Sequence, residues 1–154
     1  MAIPSGSGTE VLTSFKYLGL NDATWRDILG SASGTTALHI YTVLSIIIHA
    51  NSLQAAGNYI RCRTLSYDAL AGETGYATYI FQQDMQDFQT YVWNDKFSMN
   101  GHEPVDFTAT LDSIVKQDAI ADQGSAVVQK LQIRGENASD DFDVHCTYID
   151  QNNA

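Results

Sequence analysis

The sequence predicts an all-β chain: a single antiparallel β-sandwich or jelly roll behind an extended N-terminal arm. Three observations carry that prediction. Between Asp141 and Tyr148, Phe142, Val144, Cys146 and Tyr148 alternate strictly with Asp141, Asp143, His145 and Thr147, the period of two of a half-buried strand. The run Leu38 to Ala50 (LHIYTVLSIIIHA) is β-branched and apolar in both of its alternating rows, so it needs cover on both faces. Seven to nine short strand-like segments, separated by turn-forming residues, have the spacing of a sandwich or barrel.

Taken in order, residues 1–10 read as an arm and residues 11–154 as one domain. Met1 to Thr9 (MAIPSGSGT) contains Pro4 and alternating Ser and Gly, and has no apolar face to bury. Val11 to Leu20 is a first strand. Asn21 or Asp22 is placed to cap a helical turn carrying Trp25, Ile28 and Leu29. Gly30 to Thr36 (GSASGTT) is a loop. In the apolar strand that follows, Leu44, Ile46 and Ile48 form one row, and Val43 and Ile47 the other. Asn58 to Asp68 sets Ile60 and Cys62 against Tyr59, Arg61 and Arg63. Tyr76 to Gln82 and Phe88 to Trp93 are further strands. Asn94-Asp95 is expected to turn the chain into Lys96 to Met99, and Asn100-Gly101 is a tight-turn signal. Pro104 to Leu111 and Ala126 to Ile133 are read as strands, with a polar segment from Asp112 to Gly124 that holds a short helical turn. No repeat of fixed period and no linker divides the chain.

Composition narrows the functional classes. A chain of 154 residues with 44% hydrophobic and 17% charged residues can bury a core of its own. Eighteen Asp and Glu against eight Lys and Arg give a net charge of −10, which repels phosphate backbones and anionic membranes. Neither nucleic acid nor membrane is therefore an expected partner. Met1 to Gly8 lacks the basic and apolar regions of a secretory signal, and the run Val43 to Ile48 is too short to cross a bilayer. Cys62 and Cys146, the only cysteines, are expected as reduced core residues.

The residues do not assemble a reactive motif. A zinc site from His49, Cys62, His145 and Cys146 conflicts with strand geometry, because neighbours such as His145 and Cys146 point to opposite faces. No Cys-x-x-Cys pair, Gly-x-Ser-x-Gly elbow or phosphate-binding loop occurs. The expectation is no metal, no cofactor, no catalytic residue and no enzyme activity. Acids in turns, such as Asp140-Asp141, read as solvated. The aromatic group Tyr76, Tyr79, Phe81, Phe88, Tyr91, Trp93 and Phe97 suits a sandwich core or a subunit interface. A sugar platform would instead require rings such as Trp93 to be exposed.

Four segments together carry a resemblance. Ile3 to Leu12 (IPSGSGTEVL), His39 to Ile48 (HIYTVLSIII), Thr90 to Gly101 (TYVWNDKFSMNG) and Asp143 to Gln151 (DVHCTYIDQ) resemble the opening, the central strand, the Asn-Asp-Lys hairpin and the closing strand of a family of small virion proteins from tailed, mostly marine bacteriophages. The order is the family's, and the segments span nearly the whole chain. The longer stretches Asp112 to Asp140 and Gln82 to Gln89 depart from it. The resemblance implies a structural role in a virion, with no enzyme activity and no cofactor. In such a particle the sandwich is expected as a capsid decoration (cement) protein, a homotrimer that bridges capsomers and meets the major capsid protein or other virion proteins. A neck, tail or fibre-associated protein and a carbohydrate-binding host-recognition module are the alternatives. The residues expected at interfaces are Ile3 and Pro4 in the arm, Val11, Leu12, Val43, Ile47, Tyr91, Trp93 and Phe97.

Overall fold

A computed structural model describes residues 9–21, 23–30, 39–68, 73–100 and 129–152. Among the described residues the regular structure is entirely strand: β1 (Thr9–Leu20), β2 (Arg26–Leu29), β3 (His39–Ser52), β4 (Tyr59–Asp68), β5 (Glu73–Asp84), β6 (Thr90–Trp93), β7 (Phe97–Asn100), β8 (Lys130–Arg134) and β9 (Asp141–Asn152). One sheet runs β1-β9-β3, with β6 and β7 both paired to the far side of β3; the other runs β2-β8-β4-β5. All pairings are antiparallel, and the two sheets pack face to face as the expected β-sandwich.

Alternation decides which residues fill the space between the sheets. From the first sheet come Phe142, Val144 and Cys146 of β9 and Val43, Ile46, Ile48 and Ala50 of β3; from the second come Ile60, Cys62, Leu131 and Ile133, joined by Ile28 and Leu29. The rows of β3 differ from the expected ones. Val43 pairs with Tyr148 and Ser45 with Thr147, so Leu44 is the extra residue of a bulge. The bulge moves Val43 into the buried row with Ile46 and Ile48 and leaves Ile47 on the outer face, opposite His145.

Two further expectations are corrected. Arg26–Leu29 is strand β2 rather than a helical turn, because pairing with β8 satisfies its backbone and buries Ile28 and Leu29. Asn94-Asp95 does not reverse the chain: β6 pairs with Ile46–His49 and β7 with Ile40–Val43 in the same sense, so residues 94–96 interrupt one edge strand. The same pairing makes the Thr90 to Gly101 segment an interrupted edge strand up to Asn100, not a hairpin. Of the strand expected over Ala126 to Ile133, β8 begins at Lys130. The arm to Gly8, the strand expected at Pro104 to Leu111, the helical turn within Asp112 to Gly124 and Gly101 lie outside the described residues.

The two ends of the sandwich differ. At one, the turns 53–58, 85–89 and 135–140 are tied together. The Met85 N–H donates to the Asn58 carbonyl and the Gly57 N–H to the Met85 carbonyl, both at 3.0 Å. Gly57 has φ +86°, a conformation that costs a glycine nothing. Asp140, expected to be solvated, is fully buried there. Its Oδ1 accepts the Gln54 N–H and the Asn58 side-chain amide, both at 2.9 Å, and its Oδ2 accepts the Asn137 N–H at 2.8 Å. A buried carboxylate is tolerable only with such donors. At the other end Thr9 pairs with Asn152, which also pairs with His39; Ile40 pairs with Asn100, Asp68 with Glu73, and Leu65 with Lys130.

Cys62 and Cys146 are both free and buried. Burial pushes the Cys146 thiol up to about 12, and burial with the neighbouring Cys146 raises Cys62 further. Because the thiolate is the reactive form, about one Cys146 in 10,000 is ionised at pH 8, before the steric barrier of the core is counted. Neither cysteine is expected to react with a thiol reagent in the native protein over an hour at that pH, while both react in denaturant. Mass spectrometry of the alkylated protein checks this, and fast native labelling of either residue would show that its strand opens.

Candidate interaction faces

The residues expected at interfaces do not form one patch. Ile3 and Pro4 lie outside the described residues. Val11 and Leu12, on the edge strand β1, are 54% and 68% exposed, and Leu18 further along the strand is 65% exposed. Val43 is fully buried in the core and has no surface to offer. Tyr91, Trp93 and Phe97 project inward from β6 and β7 and pack against the core, with the Trp93 and Phe97 rings edge to face at 5.5 Å. Trp93 therefore does not provide an outward sugar platform. In the rest of the aromatic group Phe81 is buried, Tyr79 stands on the outer face of the other sheet, and Phe88 is exposed in the 85–89 turn.

Ile47 lies on the outer face of the β1-β9-β3 sheet, in a cavity of about 520 Å³ lined also by Lys16, His49, Thr90, Asp143 and His145. Register builds this site. Lys16, His145 and Ile47 are cross-strand neighbours in one row, and Asp143, His49 and Thr90 in the next. His49 Nδ1 and Thr90 Oγ1 are hydrogen-bonded at 2.8 Å. Asp143 Oδ1 accepts the Gly19 N–H at 2.8 Å and the Asn51 amide at 3.1 Å. Partial burial alone would raise the Asp143 carboxyl, but these two donors, with Lys16 and His49 nearby, hold it below the ordinary carboxylate value. The carboxylate thus anchors the bend of β1 at Gly19, and the cavity presents imidazole, hydroxyl and ammonium groups around an apolar floor. Among the described residues no group of three or more His, Cys, Asp or Glu is placed to hold a metal ion.

The outer face of the β2-β8-β4-β5 sheet is different in kind. Tyr59, Arg61 and Arg63 point outward because Ile60 and Cys62 point in, and the register sets Arg134 beside Arg61 and Gln132 beside Arg63. Trp25, just before β2, lies over the guanidinium of Arg63 at 3.9 Å and that of Arg134 at 5.0 Å from its ring centre. Arg61 sits between the rings of Tyr59 and Tyr79, at 4.5 and 5.3 Å. Each such contact stabilises by about 0.5–1 kcal/mol at an exposed site.

The hydrogen bonds of the three arginines go to neutral groups. Arg61 Nε donates to Gln82 Oε1 at 2.8 Å, Arg63 Nε to Gln132 Oε1 at 2.9 Å, and Arg134 to the Tyr59 hydroxyl at 3.1 Å. Arg134 Nε is buried without an acceptor among the described residues. The Asp27 carboxylate is shared by Lys130 at 2.8 Å and the Gln132 amide at 2.6 Å. The sequence signal for this face was the alternation of Arg61 and Arg63 against Ile60 and Cys62; Trp25 and Arg134 join it only through the pairing of distant strands.

A scan of the chain against protein-family models finds no match, and a search of curated proteins finds none either.

Proposed function

We propose that the chain is a structural protein of a tailed-phage particle, a capsid decoration protein that holds neighbouring capsomers together. The observation that carries this reading is the edge strand β1. It is 12 residues long, its free side has no strand partner among the described residues, and it exposes Val11, Leu12 and Leu18 in an otherwise acidic chain. Monomeric proteins blunt such edges with charge, proline or cover; β1 carries the exposed Glu10 and Lys16, but the exposure of Val11, Leu12 and Leu18 on one edge strand is of the kind that another chain covers. The resemblance of the segment leading into β1 to the opening of phage virion proteins points the same way.

Strand order adds support. With β6 and β7 counted as one interrupted strand, we read the orders β1-β9-β3-β6/β7 and β2-β8-β4-β5 as a jelly roll, an architecture recurrent in viral coats and lectins. A clamp of this kind works by burial alone. Apolar surface removed from water contributes roughly 25 cal/mol per Å², repeated at every joint of a shell under internal pressure.

The test is the copy number of the protein in purified particles, measured by quantitative mass spectrometry against the major capsid protein. A ratio between one to one and one to a few is the expected result. A ratio near one to tens would move the protein to the neck or tail, and absence from the particle would end the structural reading.

A further inference from the structure

We propose that the outer face of the β2-β8-β4-β5 sheet is the cationic half of a joint between copies of this chain, where Arg61, Arg63 and Arg134 receive carboxylates of a second copy. The inference rests on the reading of the chain as a repeated structural subunit and names the surface through which it repeats.

Charge distribution is the first argument. The chain has only eight lysines and arginines against 18 acids, yet Arg61, Arg63, Lys130 and Arg134 share this one face. Chance scatter over a surface of net charge −10 would surround each of them with carboxylates. Lys130 is paired with Asp27, whereas the hydrogen bonds of the three arginines go to amide, hydroxyl and carbonyl groups with no charge to cancel theirs. The centre of the face is therefore cationic on an acidic molecule, bordered at its Tyr59 end by Asp84, opposite Tyr59 on β5, and by Glu136, which accepts the Tyr59 N–H at 3.2 Å.

Preorganisation is the second. Stacking on Trp25, Tyr59 and Tyr79 fixes the planes of all three guanidinium groups, so little side-chain freedom is left to lose when a carboxylate arrives. Rigid aromatic and arginine groups side by side are the composition of interface hot spots. Arg134 Nε, buried and lacking an acceptor, belongs to the same cluster.

Complementarity selects the occupant. A second copy presents a surface on which acids outnumber cations, including the exposed Asp87 and Asp95, away from the arginine face. A nucleic acid would meet the same face but would be repelled by the rest of the molecule.

Light scattering of the full chain across a salt series tests the proposal. At about 50 mM NaCl the protein is expected as an oligomer that loosens by about 0.5 M, because ion pairs at a joint are screened over a Debye length. Arg61→Glu is expected to weaken assembly at low salt at least about tenfold, while its thermal midpoint as a monomer falls by only about 2–8 °C, the loss of its two ring contacts. Lys96→Glu makes a like change of charge at an exposed position of the other sheet, between β6 and β7, and is expected to leave assembly intact. A monomer at low salt, an oligomer indifferent to salt and to Arg61→Glu, or equal dissociation by Lys96→Glu would each overturn the proposal. A monomer that is nonetheless abundant in particles would overturn this inference alone; an oligomer absent from particles would overturn only the virion reading.

Discussion

Asp140→Ala is expected to lower the stability of the sandwich by about 3 kcal/mol, although the substitution removes one small side chain from a turn. The carboxylate accepts three bonds, from Gln54, Asn58 and Asn137, which belong to two different turns. Alanine leaves three donors without an acceptor in a place where Asp140 itself is fully buried. Each buried donor left unmet costs about 1–3 kcal/mol, less whatever an entering water recovers. In a domain of this size that is a fall of roughly 6–12 °C in Tm, measurable by calorimetry. Asp140→Asn keeps one acceptor oxygen and should fall in between. A loss below about 0.5 kcal/mol for the alanine variant would mean that the turns hold without the carboxylate, as surface turns do.

The second large effect is expected at Phe142. Among the described residues its ring is the bulkiest fully buried side chain, opposite Ala50 on β3 and Leu20 on β1. At Gly135 the neighbour is small by necessity, since an added Cβ would stand 3.2 Å from the ring. Phe142→Ala removes both the transfer energy of the ring and the packing around it, about 3–5 kcal/mol, read as a lower urea midpoint at unchanged slope. Phe142→Leu keeps most of the volume and should cost less than half as much. Phe88→Ala changes the same residue type where the ring is 77% exposed, so it should shift the midpoint by no more than about 0.5 kcal/mol. Equal effects at the two positions would contradict the assignment of the core.

Much of the architecture was legible because strand alternation is a local property. The period of two in Asp141 to Tyr148 is one side of the core written along the chain, and the pattern of Ile60 and Cys62 against Arg61 and Arg63 is another. What failed was what depends on partners. The bulge at Leu44 is set by the register of β9, so counting alternate residues from Ile48 back to Val43 put Val43 in the wrong row. Arg26–Leu29 is too short to show a period, and only the β8 backbone makes it a strand. Asp140 and Asp141 look alike in sequence, yet one carboxylate is enclosed by two turns and the other is not. The candidate faces divide the same way. The apolar opening of β1 could be read directly, whereas the stack of Trp25 on Arg63 and Arg134 joins positions more than a hundred residues apart.

The two unlike ends of the sandwich make the protein a polarised carrier. Thr9 and Asn152 are paired neighbours, and the strand ends that lead into 31–38, 69–72 and 101–128 gather at the same pole. A peptide grafted at any of these points, or a protein fused beyond either strand, leaves from one side of the molecule, far from the knot around Asp140. Cargo attached to every copy in an array would therefore face one way. The adjacency of Thr9 and Asn152 also suits circular permutation: a short linker joins them, and new ends can be opened elsewhere without separating β1 from β9.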